Sequence, residues 1–147
     1  MKHRHSRLAV PLMIALLGVG GCSGQQEAAA STPQPAQVQS IEGSDLHRVT
    51  LTEQAMDRVG IQTVAVRAAT APSKLTIIPV SAVIYDPQGR SWTYIVPDVR
   101  TFMRQAIVID HIDGTNAFLK SGPSVGSQVV TVGSAELLGT EYGVGEE

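Results

Sequence analysis

Cysteine is nearly missing: Cys22 is the only one in 147 residues, so no disulfide can form within the chain and the fold must rest on its core. The length leaves no room for a large enzyme scaffold and suits one small globular domain with extensions. A membrane-spanning helix needs about twenty apolar residues, and the pronounced apolar run at the start, Leu8 to Gly20, has thirteen. Charged residues make up 16% and aromatic ones 4%. The single Trp and two of the three Tyr nevertheless fall within one stretch, Ile78 to Val96, which marks that stretch as the place where a core forms.

What is present at the amino terminus is an export signal. Lys2, Arg4 and Arg7 supply a basic start, Leu8 to Gly20 the apolar segment, and Val19-Gly20-Gly21-Cys22 puts small residues directly before the cysteine. The last four residues resemble a bacterial lipobox. That resemblance implies a signal peptide over 1–21, cleavage before Cys22, acylation of its sulfur and of the new amino terminus, and anchoring of the mature chain in membrane lipid. The chain would then sit on the cell membrane facing the extracytoplasmic, periplasmic side. Removing the signal takes three of the 11 basic residues and none of the 13 acidic ones, leaving an excess of five negative charges. Such a surface argues against nucleic acid and anionic headgroups as partners.

Residues 22–45 are rich in Gln, Ala, Ser and Pro with little bulky apolar content, which predicts a flexible tether after the lipidated cysteine. From Leu46 the pattern changes. Leu46, Val49 and Leu51 suggest a short strand, Thr52 an N-cap, and Ala55, Met56 and Val59 the apolar stripe of a two-turn helix closed by Gly60. Ile61 to Val66 alternates as a strand, and Ala68 to Lys74 is a small-residue link containing Pro72. Val80 to Tyr85 reads as a strand leading into an Asp86-Pro87-Gln88-Gly89 turn, with Arg90 to Val96 returning as the second arm of a hairpin. Thr101 to Asp113 carries a two-sided apolar pattern, Asp113-Gly114 signals a hairpin turn, and Ala117 to Leu119 is the return strand. A Gly/Pro/Ser loop over Ser121 to Ser127, a strand over Gln128 to Val132 and a short helical turn over Gly133 to Gly139 complete the chain. The expected domain, residues 46–145, is mainly β: a small antiparallel barrel or sandwich of six to seven short strands with one or two short helices.

Two separated stretches resemble the periplasmic adaptor subunits, or membrane fusion proteins, of resistance-nodulation-division (RND) efflux pumps, in the heavy-metal-efflux branch. V-T-L-T-E-Q-A-M-D-R-V-G-I-Q-T-V-A-V, Val49 to Val66, is similar to the opening of the folded chain in that family. I-P-V-S-A-V-I-Y-D-P-Q-G-R-S-W-T-Y-I-V, then F-M-R-Q-A-I-V-I-D-H-I-D-G and S-G-P-S-V-G-S-Q-V-V-T-V-G-S-A-E-L, are similar to its carboxy-terminal portion, in the same order. In those adaptors the two ends of the polypeptide meet in a membrane-proximal β domain, with a barrel, a lipoyl-like domain and a helical hairpin between them. Here only Ala68 to Lys74 lies between, with no heptads. The resemblance therefore implies a solitary membrane-proximal domain that docks on a transporter or adaptor protein.

Motifs for chemistry are weak. Gly122-Pro123-Ser124-Val125-Gly126 has the letters of a nucleophile elbow, but that motif needs a helix after the serine, and a strand is expected here. Met56, Met103, His47, His111 and Asp110 to Asp113 show no metal-ligand spacing. Gly139 to Gly145 has no lysine and no following helix to cradle a phosphate. Glu136, Glu141, Glu146 and Glu147 read as solvated charge. No catalytic residue, cofactor or metal site is assigned, and Cys22 is the one assigned site. The leading expectation is a non-enzymatic, lipid-anchored accessory of membrane efflux; the alternatives are an extracytoplasmic metal- or ligand-binding lipoprotein and a structural lipoprotein that packs with itself as a homo-oligomer. Radiolabelled palmitate is expected to attach to the wild-type chain and not to Cys22→Ala.

Overall fold

The computed structural model describes residues 34–143; the expected signal peptide, Cys22 and the first part of the expected tether lie outside them. Eleven strands and two helices follow in order. They are β1 (Ala36–Ser40), β2 (His47–Leu51), α1 (Glu53–Val59), β3 (Gln62–Ala65), β4 (Arg67–Ala68) and β5 (Thr76–Pro79). After a single 3-10 turn (Val80–Ala82) come β6 (Ile84–Tyr85), β7 (Ser91–Asp98), β8 (Thr101–Ala106) and β9 (Val108–Asp113). Then β10 (Asn116–Ser121), β11 (Gln128–Val132) and α2 (Ser134–Glu141) close the described chain.

The strands make two antiparallel sheets and no closed barrel. The first has the order β1-β2-β8-β7-β11-β3, with β6 also on β7; the second runs β4-β5-β10-β9. Two cores result. One joins Val49, Tyr94, Phe102 and Val130 of the first sheet to Ala55 of α1 and Leu137 of α2. The other joins Val129 and Ile95 of the same sheet to Ile78, Ala117 and Leu119 of the second. Neighbouring residues such as Val129 and Val130 thus point to opposite faces and are both fully buried, each contributing about 1.5–3 kcal/mol of transfer free energy. The layers are helices, first sheet, second sheet, an architecture consistent with the mainly β, sandwich-like expectation.

Local chemistry accounts for the helices. The Thr52 hydroxyl accepts from Ala55 N at 3.2 Å, and Gly60 closes α1 at φ 69° with its amide on Met56 O at 2.8 Å. At the start of α2, Gly133 sits at φ 91°, and a Cβ there would come within 2.9 Å of Val59 Cγ1 and nearer still to Ile61 Cδ1. Only glycine lets the chain enter α2 while α1 lies this close.

Three expectations need correction. Val80 to Tyr85 is not one strand: Pro79 has no N–H to extend the ladder, Val80 N bonds to Thr115 O, and the 3-10 turn lifts the chain from the second sheet to the first. Thr101 to Asp113 is likewise two strands. The Ile107 amide still bonds to Ser91 O in the first sheet at 3.1 Å, and β9 beyond it belongs to the second. Finally, the part of the expected tether from Ala36 onward is strand and turn. β1 pairs with β2 over five residues, Ala36↔Leu51 to Ser40↔His47, so backbone hydrogen bonds order a segment whose side chains bury little.

The Asp86 turn is held by its own carboxylate. Oδ1 accepts from the amides of Gln88 and Arg90 at 3.0 and 2.9 Å, and Oδ2 from Arg90 Nε and Trp92 Nε1 at 2.6 and 3.0 Å. Burial works against ionisation, but the bonds from the Arg90 amide, the indole and the Arg90 side chain outweigh it and hold the carboxyl at about 2. A depressed carboxyl contributes stability that is complete above its unfolded value near 4 and lost as pH falls towards 2. Asp86→Asn, which turns an amide group on two of these donors, is expected to lower Tm by about 5 °C or more at pH 7. The gap to wild type should close in thermal melts between pH 4 and pH 2.

Candidate functional site

Polar side chains converge where the end of α2 meets β7 and β8. Leu137 anchors one turn of the helix in the first core, and Glu141, four residues on, is carried onto the same face. Only 5% of Glu141 is exposed. Its Oε2 accepts from the Tyr94 hydroxyl at 2.5 Å and lies 2.8 Å from Arg104 Nε. Tyr94 and Arg104 are directly opposite each other on β7 and β8, so the sheet register places donor and cation side by side.

Arg104 is buried as well, and its guanidinium is enclosed by aromatic rings. It lies 5.0 Å from the Trp92 ring centroid and 5.2 Å from that of Tyr142, and Nη1 donates to the Tyr142 hydroxyl at 3.1 Å. Burial alone would weaken its charge, but the close contact and field of the Glu141 carboxylate raise its pKa above the ordinary value. Tyr94 is pushed well above the usual tyrosine range, first by burial and then by the bond to Glu141. On the other side of the carboxylate, His47 Nδ1 stands 3.6 Å from Oε1; neither of these two buried atoms has a hydrogen-bond partner, and Arg104 Nε meets Oε2 as an ion pair without hydrogen-bond alignment. A groove of about 410 Å³ runs alongside, lined by Gln34, Ala36, Val38, Thr140, Glu141 and Tyr142 among others.

Chemically this arrangement is a clamp. The carboxylate is neutralised by an arginine and capped by a phenol whose proton is held through the alkaline range, so its free energy goes into fastening α2 to the sheet. The expectation that Glu141 is solvated is therefore wrong, while Glu136 on the opposite side of the helix is exposed. The signal for Glu141 lay in the helical spacing Ser134, Leu137, Glu141, one buried face; nothing in the sequence marked Arg104 as its partner.

The other sequence motifs stay apart from this cluster. Ser124 is exposed in the loop between β10 and β11, where its carbonyl accepts from Ser127 N at 3.0 Å, and a strand follows it. Asp110 and His111 lie on β9, at the surface. Asp110 pairs with Lys120 and His111 at 2.7 Å each, Lys120 being the stronger cause of its lowered pKa, and the His111 ring stacks on Phe118 at 4.4 Å. Met56 packs against the first core and Met103 is half-buried on β8. Among the described residues no three or more His, Cys, Asp or Glu side chains are grouped to hold a metal ion. No described helix is long and apolar enough to cross a membrane. Glu146, Glu147 and the end of the Gly139 to Gly145 stretch lie outside the described residues. Comparison with protein-family models, with curated proteins and with solved structures finds no match to this chain.

Arg104→Met would leave the buried Glu141 carboxylate without its counter-charge and is expected to destabilise by roughly 3–5 kcal/mol in urea unfolding. The double variant Arg104→Met with Glu141→Leu should recover most of that loss, because it removes both charges together.

Proposed function

We propose that the chain is a lipid-anchored, extracytoplasmic accessory of a membrane efflux system, an adaptor-like component that acts by docking on protein rather than by catalysis. One observation carries the reading. The two stretches that resemble opposite ends of the adaptor polypeptide interleave in a single sheet: β2 lies against β8, and β3 against β11. The strand-helix-strand unit and the carboxy-terminal blocks thus need one another to complete their cores, as expected of a membrane-proximal domain whose ends have been joined through residues 68–74. The short link is sufficient because β4 and β5 on either side of it are hydrogen-bonded neighbours.

The polar groups support the same reading. Glu141, Arg104, Tyr94 and Asp86 are each committed to holding an element of the fold, which leaves the surface as the working part. The described helices have seven and eight residues, roughly 10–12 Å each, so the surface the described residues offer a partner is that of the β domain itself. Its partner is the extracytoplasmic face of a transporter or another adaptor. Crosslinking in intact membranes followed by recovery of the tagged full chain is expected to bring down a transporter component, and Cys22→Ala should reduce that recovery several-fold by removing the shared membrane. Recovery of no transporter component from the wild-type chain would overturn the reading.

A further inference from the structure

Sheet edges attract other strands because their N–H and C=O groups are unpaired, and proteins blunt them with charge, proline, bulges or brevity. Most edges of this fold carry such a device. β9 bears Asp110, His111 and Asp113 and slips register against β10; β4 has two residues, one of them Arg67; β3 has four residues and slips register against β11. β1 carries none of them. It is five residues long, Ala36-Gln37-Val38-Gln39-Ser40, with no charge, proline or glycine and an unbroken register on β2. Its outer edge has no strand partner among the described residues.

From this edge we infer that two copies of the chain associate through β1, antiparallel, about a two-fold axis at Val38. The sequence favours a second copy over an unrelated strand, because Gln37-Val38-Gln39 reads the same in both directions. A two-fold centred there sets Val38 against Val38, Gln37 against Gln39, and Ala36 against Ser40, so that amide faces amide, valine faces valine, two small side chains face each other at the ends, and no like charges are opposed. The rows behind the seam agree. Val38 is paired with Val49 of β2, which is fully buried, while Val38 itself is 41% exposed. Across the axis the row becomes Val49, Val38, Val38, Val49, and the first core continues from one copy into the next. On the other face Arg48 lies behind Gln39, so the two arginines stay apart. The exposed ring of Tyr142, beside Val38 in the groove at the end of α2, supplies further surface for the second copy to cover. A single strand pair is a small interface, and confinement of both copies to one membrane by the proposed lipid anchor would raise their effective concentration. The inference thus rests on the anchor in the reading above and not on its efflux partner.

The test is made in membranes on the full-length chain. Val38→Cys puts two thiols opposite each other at the axis, and mild oxidation is expected to give a disulfide-linked homodimer on a non-reducing gel, whereas wild type and Tyr85→Cys, exposed on β6, give none. Val38→Lys should weaken self-association, read as energy transfer between labelled copies, by about tenfold or more through like-charge opposition. Mixing Val38→Lys with Val38→Glu chains should restore association, an outcome that misfolding of either variant could not produce. Failure of Val38→Cys to crosslink, crosslinking solely to a different protein, or no recovery on mixing the two charged variants would overturn the inference.

Discussion

Strands β7 and β11 run through the middle of the first sheet with side chains that must leave water on both faces. Tyr94 and Val130 point to one side, Ile95 and Val129 to the other. A sheet of this kind is stable only if each face is covered, and the chain has no disulfide to compensate for a face left open. The second sheet covers one side and the two helices the other. Most of the remaining architecture follows from that requirement: Ile107 carries the chain from β8 to β9 across the layers, and the 3-10 turn at Val80–Ala82 does the same between β5 and β6.

Covering a face with helices as short as α1 and α2 poses a second problem, since seven or eight residues bring little apolar area. α1 is fixed at both ends by its caps. α2 has no side-chain cap at its start and is fixed by position: by Gly133, where the close approach of Val59 and Ile61 leaves no room for a side chain, and by Glu141 at its far end. A buried ion pair contributes little net stability compared with apolar residues of the same size. What Arg104 and Tyr94 add is direction. The Tyr94 hydroxyl donates to the carboxylate and the Arg104 charge lies 2.8 Å from the same oxygen, which favours one seating of α2 on the sheet.

How much of this could be read in the sequence depended on the range of the interactions involved. Thr52 with Gly60, Asp86 with Gly89, and Asp113 with Gly114 act over a few residues, and the helix, the hairpin and the β9–β10 turn were legible from them. Alternation in Thr101 to Asp113 marked extended backbone, yet period two is the same whether a strand stays in one sheet or changes sheets midway; in Val80 to Tyr85 alternation misled, because Val80–Ala82 is a 3-10 turn and Ile84–Tyr85 alone is strand. The ordering of β1 was illegible for a different reason: its composition suits a tether, and what orders it is the backbone of β2. The Glu141 cluster spans 47 residues to Tyr94 along the chain, so its partner is visible only once the β7–β8 register is known.

Glu141, Arg104 and Tyr94 hold α2 to the sheet, and the efflux reading turns on the exposed edges. Two kinds of surface are unequal here. The outer edge of the second sheet, β9, is guarded by Asp110, His111 and Asp113 and offers charge and a stacked His111–Phe118 pair rather than an open ladder. The outer edge of the first sheet, β1, offers backbone and a palindromic Gln-Val-Gln. A partner recognised by side chains belongs at the first kind of edge and a partner recognised by backbone at the second. Self-association at β1 would therefore leave the β9 edge available to a transporter, and the two contacts need not compete.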